Sequence, residues 1–159
     1  MLVTALIIAT ATGTGLMAGL FYVFSAFVMQ SLKRISASAA VAAMRSINET
    51  IVRSSFLPIF FGTGLGCAAI LVIAPWRVGT DAAIALIVAS LLYLLGTIGV
   101  TIVCNVPLNN RLATIDPDGA EAGAGWREYL GPWLRWNHVR TVSSTLALLL
   151  FLVALTMMR

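Results

Sequence analysis

The chain has 159 residues, of which 60% are hydrophobic and 10% charged, with a mean hydropathy of +0.97. About a quarter of a soluble domain is charged, so a water-exposed globular surface is excluded and the bilayer is the expected solvent. The net charge of +4 lies between apolar runs, where basic residues set topology rather than bind nucleic acid.

The first apolar run, residues 2–28, carries no charge and is long enough to cross a hydrocarbon core of about 30 Å. Lys33 and Arg34 follow it rather than precede it, unlike a secretory signal, so a retained helix is expected. Gly15 and Gly19 are spaced to let another helix approach closely. Phe21, Tyr22, Phe24 and Phe27 read as packing residues of the bundle.

Residues 30–55 form a polar connection. Within it Val41, Met44, Asn48, Ile51 and Val52 share one arc at about 100° per residue, which predicts an amphipathic helix leading into the second span. Asn48 sits in the middle of that apolar arc. A buried amide without a partner costs about 1–3 kcal/mol, so Asn48 should meet a polar group, either structural or from a ligand.

The second span covers residues 56–75, with Gly62 and Gly66 repeating the small-residue spacing, and Trp76, Arg77 and Asp81 make a short connection. The third covers 82–104 and the fourth 141–158. No span has an acidic or basic residue in its interior, which argues against a proton-coupled transporter or ion channel. Cys67 lies roughly 16 Å into its run at 1.5 Å per residue, whereas Cys104 lies at the end of its own, so a disulfide between them is not expected. The expected fold is an all-α, single-domain, integral-membrane four-helix bundle. The connections at 30–55 and 105–140 hold eight basic residues against two, Arg77 and Arg159, on the opposite side. That asymmetry predicts a multi-pass cell-membrane protein with both connections cytoplasmic and both termini outside.

Most of the chemistry-bearing side chains fall in 105–140. Asn105 reads as a helix N-cap and Pro107 as the point where the third span ends or kinks, with a short helix following to about Ile115. Asp116-Pro117-Asp118-Gly119 reads as a turn, and Glu121 to Gly125 as a surface loop able to act as a lid. Gly131-Pro132 reads as a second break, with Pro132 opening a helix that continues into the fourth span. On that helix Trp133, Trp136, Asn137, Arg140 and Ser144 share an arc of about 100°, while His138 lies about 160° from Arg140. The two cannot both face the middle of one site. Arg140 reads either as a snorkelling boundary residue or as an anion binder beside Asn137. His138 is the only histidine, a poor basis for a metal site. Haem ligation by His138 stays open, although no Cys-x-x-Cys-His motif is present.

Three stretches carry a resemblance: Met44 to Asn48, Asn105-Val106-Pro107-Leu108-Asn109-Asn110-Arg111-Leu112, and Trp133-Leu134-Arg135-Trp136-Asn137-His138-Val139-Arg140-Thr141. Together with Gly19 to Phe24 and Phe60 to Thr63, they resemble the small integral-membrane anthrone oxygenase-like family. The resemblance implies oxidation of a flat phenolic or polyketide-type compound by dioxygen. The enolate of such a substrate can reduce dioxygen directly, so no cofactor is required. The protein would supply an aromatic slot, a base and donors for the enolate oxygen. Trp133 and Trp136 would form the slot and His138 the base. Arg140, Asn137, Asn109 and Asn48 would hold oxygens, and Asn105 and Asn110 join the substrate-binding set. The partners implied are the bilayer, an apolar aromatic molecule and dioxygen, with self-association left open. The rival readings are a non-enzymatic lipid- or quinone-binding bundle or accessory subunit, and a haem-containing membrane oxidase.

Overall fold

The computed structural model describes residues 1–158; Arg159, counted above with the outer side, lies outside them. The described chain is all-α. Four helices are long and apolar enough to cross a membrane, which makes this a multi-pass membrane protein. They are α1 (Leu2–Leu32), α3 (Phe56–Arg77), α4 (Thr80–Ala113) and α5 (Ala122–Met157). Between the first two lies α2 (Ala37–Ile51), capped by the Ser36 side chain, which accepts from the Ala39 amide at 3.2 Å. Its Val41 and Met44 are buried, as the amphipathic pattern requires.

α1 packs chiefly on α5 and α3, and α4 packs on α3 and α5. One core cluster, with Ile7, Phe60, Ile70, Leu86, Tyr93 and Phe151, fills the end that carries the termini and the α3–α4 turn. A second, with Met29, Val41, Met44, Leu112, Trp126, Tyr129 and Trp133, fills the other end, where α2 caps α4 and α5. Arg45 of α2 donates to the Ile115 carbonyl at 3.0 Å, and Ser38 donates to Asp118 at 3.2 Å. The two polar connections therefore meet at one end of the bundle.

Three expectations are corrected. Of the two readings at Cys104–Pro107, an end or a kink, the third span does not end there, and the short helix expected after Pro107 forms as Val106–Ala113. The span's helix runs on to Ala113 and absorbs Pro107 through a π-helical turn at Thr101–Asn105, with the Val106 amide bonded to the Thr101 carbonyl. Widening the turn removes the need for a Pro107 N–H in a regular ladder. Asn105 stands at the N-cap position of Val106–Ala113, but its side chain makes no capping hydrogen bond. Nor do Gly131 and Pro132 break α5, which passes through both; Pro132 is exposed, so its ring and the carbonyl it leaves free face outward. Glu121 to Gly125 is not a loop, because the helix begins at Ala122, which is buried. The Asp116–Gly119 turn forms, with the Gly119 amide bonded to the Asp116 carbonyl at 3.1 Å.

The small-residue motifs work differently from their spacing. Gly13 lies against the Thr63 hydroxyl and Gly66 against the Thr10 hydroxyl, a reciprocal pair of close approaches between α1 and α3. Gly15 instead faces Leu148 of α5, and a side chain at Gly19 or Gly62 would meet open space.

Candidate functional site

Between the two core clusters lies a cavity of about 390 Å³, within the range that holds a drug-sized ligand. Its walls are mainly apolar. Phe21 and Phe24 come from α1, Phe56, Phe60 and Phe61 from the start of α3, and Ile102 and Val106 from α4. Phe61, Ile102 and Val106 are exposed on the outer, apolar surface of the bundle. Polar groups enter from the other end: Asn48 and Glu49 of α2, Thr101, Asn109 and Asn110 of α4, and Asn137 and Arg140 of α5.

Arg140 is the central feature, only 5% exposed. Its Nη2 donates to Asn137 Oδ1 at 2.8 Å and its Nη1 to Thr101 Oγ1 at 3.3 Å. The guanidinium lies 4.4 Å from the Phe21 ring centroid and 5.3 Å from that of Trp133, close enough for cation–π attraction. Its Nε has no hydrogen-bond partner. Among the described residues the only ion pair is Arg111 with Glu128, on the surface, so no carboxylate neutralises Arg140. A buried cation without a counter-charge is costly, and the aromatic faces and the amide offset only part of that cost.

The supporting shell is dense. Asn137 Nδ2 donates to the Phe21 carbonyl and to Ser25 Oγ, both at 2.8 Å. Asn109 Oδ1 accepts from the Tyr129 hydroxyl at 2.9 Å and from Trp133 Nε1 at 2.8 Å. Asn105 Nδ2 donates to the Trp133 carbonyl at 3.2 Å. Asn48 lies beside the Tyr129 hydroxyl, but its Nδ2 has no bond of ordinary geometry. Ser25 and Thr101 both sit on π-helical turns. Such turns reposition side chains relative to a regular helix and recur at functional sites.

Of the nine residues singled out from sequence, six line the cavity: Asn48, Asn109, Asn110, Trp133, Asn137 and Arg140. Asn105 is buried behind the wall. Trp136, at the edge of its arc, is 37% exposed and outside the cavity, so it does not form the slot with Trp133. Phe21 and Phe24, which the sequence reading assigned to packing, line the cavity beside Trp133, with the Phe24 and Trp133 ring centroids 5.6 Å apart. His138 also lies outside. It is exposed, and its Nδ1 sits 3.0 Å from Ser25 Oγ. The helix turns it away from Arg140, so the expectation that His138 serves as the base inside the slot does not fit this placement. Glu49, Thr101, Ser25 and Tyr129 were not anticipated. Tyr129 was legible in principle, one turn before Trp133 on the same face, but the expected break at Gly131-Pro132 hid that continuity. Among the described residues no group of three or more His, Cys, Asp or Glu side chains is placed to hold a metal ion, and both cysteines are free.

Comparisons with curated proteins and with solved structures return no match. Residues 51–150, which span α3, α4, most of α5 and the Asn109, Trp133, Asn137 and Arg140 positions, match the family model described as anthrone oxygenase. That match covers more than half of the chain, and the protein therefore belongs to the anthrone oxygenase family.

Proposed function

We propose that the protein is a membrane oxygenase that converts the methylene of a flat, lipid-dissolved, anthrone-type compound to a ketone with dioxygen. The observation that carries this reading is the buried, uncompensated Arg140 guanidinium facing an aromatic cavity. Ionising such a methylene creates an extended enolate. Its oxygen would accept from the Arg140 guanidinium, with the Asn48 amide as a second donor, and its rings would lie against the apolar wall that includes Phe21, Phe24 and Trp133. A fixed donor in a dry site stabilises developing charge more than water does, and here the donor is already held by Asn137 and Thr101 before the substrate arrives. The enolate supplies the electrons for dioxygen, so the mechanism calls for no redox cofactor. Phe61, Ile102 and Val106 line the cavity and are exposed on the apolar surface, so an apolar substrate would enter past them from the bilayer. By charge asymmetry the polar end faces the cytoplasm and the termini face outward.

The test is oxygen uptake and ketone formation from a panel of anthrones by the purified protein in bilayers, corrected for autoxidation in empty bilayers. Arg140→Gln should lower kcat by about 10²-fold or more, the usual effect of removing one such donor. A parent no faster than empty bilayers, or an Arg140→Gln variant as fast as the parent, would overturn the reading. Tight ligand binding without oxygen uptake would favour a non-enzymatic quinone- or lipid-binding role, and a co-purifying Soret band would redirect the mechanism to haem.

A further inference from the structure

The enolate route needs a group that takes a proton from carbon, and the cavity wall narrows the choice. Its ionisable residues are Arg45, Glu49 and Arg140. The two arginines are cations, and the asparagines and Thr101 are not bases. The Tyr129 hydroxyl is not on the wall and already donates to Asn109. His138 is on the outside of α5. Glu49 is the one wall residue able to accept a proton.

Its setting suits that work. Glu49 follows Asn48 in the last turn of α2, lines the cavity and is exposed, so water can solvate its carboxylate. Arg45, one turn earlier, spends its guanidinium on the Ile115 carbonyl, and no ion pair among the described residues involves Glu49. The charged groups sharing the cavity with it are Arg45 on its own helix and Arg140 from α5; α3 and α4 contribute none to the wall.

We propose that Glu49 is the catalytic base of the oxygenation, the carboxylate that takes the substrate's methylene protons at the rim while Arg140 holds the enolate oxygen inside. The assignment rests on the function proposed above. A Glu49 carboxylate oxygen removes one C–H proton, and the electron pair of that bond moves into the enolate. Dioxygen accepts those electrons and bonds to the carbon, and the peroxide oxygen recovers the proton from Glu49. The carboxylate then takes the second C–H proton. The C=O bond forms as the O–O bond breaks, and the departing hydroxide recovers that proton from Glu49 as water. One methylene and one dioxygen thus give one ketone and one water, and Glu49 ends as it began.

Glu49 is at the surface, so replacing it should not unfold the protein. Glu49→Gln should lower kcat by 10²-fold or more, within the range for loss of a general base, with little change in KM. Binding of the ketone product, read by Trp133 fluorescence, should be unchanged. Glu49→Asp should keep part of the rate, and added formate should raise the rate of Glu49→Ala. A parent that does not oxidise anthrones overturns both this assignment and the function it rests on. An active parent whose Glu49→Gln variant keeps its kcat, or raises only KM, overturns this assignment alone. So does a Glu49→Ala variant that formate leaves unchanged.

Discussion

Asn137 joins the cation to the rest of the bundle. Its Oδ1 accepts from Arg140 and its Nδ2 donates to the Phe21 carbonyl and the Ser25 hydroxyl, so one side chain ties α5 to α1 and orients the guanidinium. Asn137→Leu keeps roughly the volume and leaves all three partners short of a bond. Each such loss costs about 1–3 kcal/mol in a water-excluded site, although polar pairs in membrane bundles average nearer 0.6 kcal/mol. A total loss of about 2 kcal/mol is expected in equilibrium unfolding in mixed micelles, together with lost turnover. Trp136→Ala, at an exposed position, should fall within about 0.5 kcal/mol of the parent. Equal stability of the two variants would count against the network. The helical wheel made the Arg140–Asn137 face legible in the sequence, because α5 is a regular helix there. It also separated His138 from that face. Glu49 was not legible, because its place on the rim depends on how α2 folds over the ends of α4 and α5, and periodicity within α2 says nothing about that.

Helices were the easiest level to read, and their ends the hardest. Four apolar runs gave four spans, yet three of the helices extend well beyond them. Pro107 was read as an end or a kink and Gly131-Pro132 as a break, whereas a π-turn absorbs the first and an exposed face accommodates the second. The glycine motifs were read as places where another helix approaches closely, but spacing alone does not identify the residue opposite each glycine. Gly13 against Thr63 and Gly66 against Thr10 make that interface. A methyl at Gly13 would collide with the Thr63 hydroxyl, and overpacking of this kind costs about 1–3 kcal/mol. Gly13→Ala should therefore destabilise the bundle, and Thr63→Ala in the same chain should recover at least half of the loss. Residues in direct contact are expected to be coupled in this way. Simple additivity in the double-mutant cycle would show that the two helices do not meet at this point. Gly19→Ala, with open space beside it, serves as the control.

At the scale of the molecule the bundle is divided along its length. One end is a dry core of small and aromatic residues, and the other is a polar cap of α2, the end of α4 and the start of α5, with the cavity between. This places Arg140 and Glu49 near the polar end, with the cavity-lining Phe61, Ile102 and Val106 exposed on the apolar surface. A substrate could then arrive through lipid while the product water leaves at the polar end, a separation that a soluble enzyme would have to build with a lid. Charge predicts the direction this end faces. Lys33, Arg34, Arg45, Arg53, Arg111, Arg127, Arg135 and Arg140 lie in the polar connections. Arg140 is committed to the cavity, but the other seven still outnumber Arg77 and Arg159, so the bias toward the cytoplasm survives its removal from the count. With Cys67 and Cys104 replaced by Ala, a thiol introduced by Ala120→Cys should react with a membrane-impermeant maleimide only after cells are opened. One introduced by Gly79→Cys, in the α3–α4 turn, should react in intact cells. The reverse pattern would put the Glu49 end of the cavity on the outside of the cell.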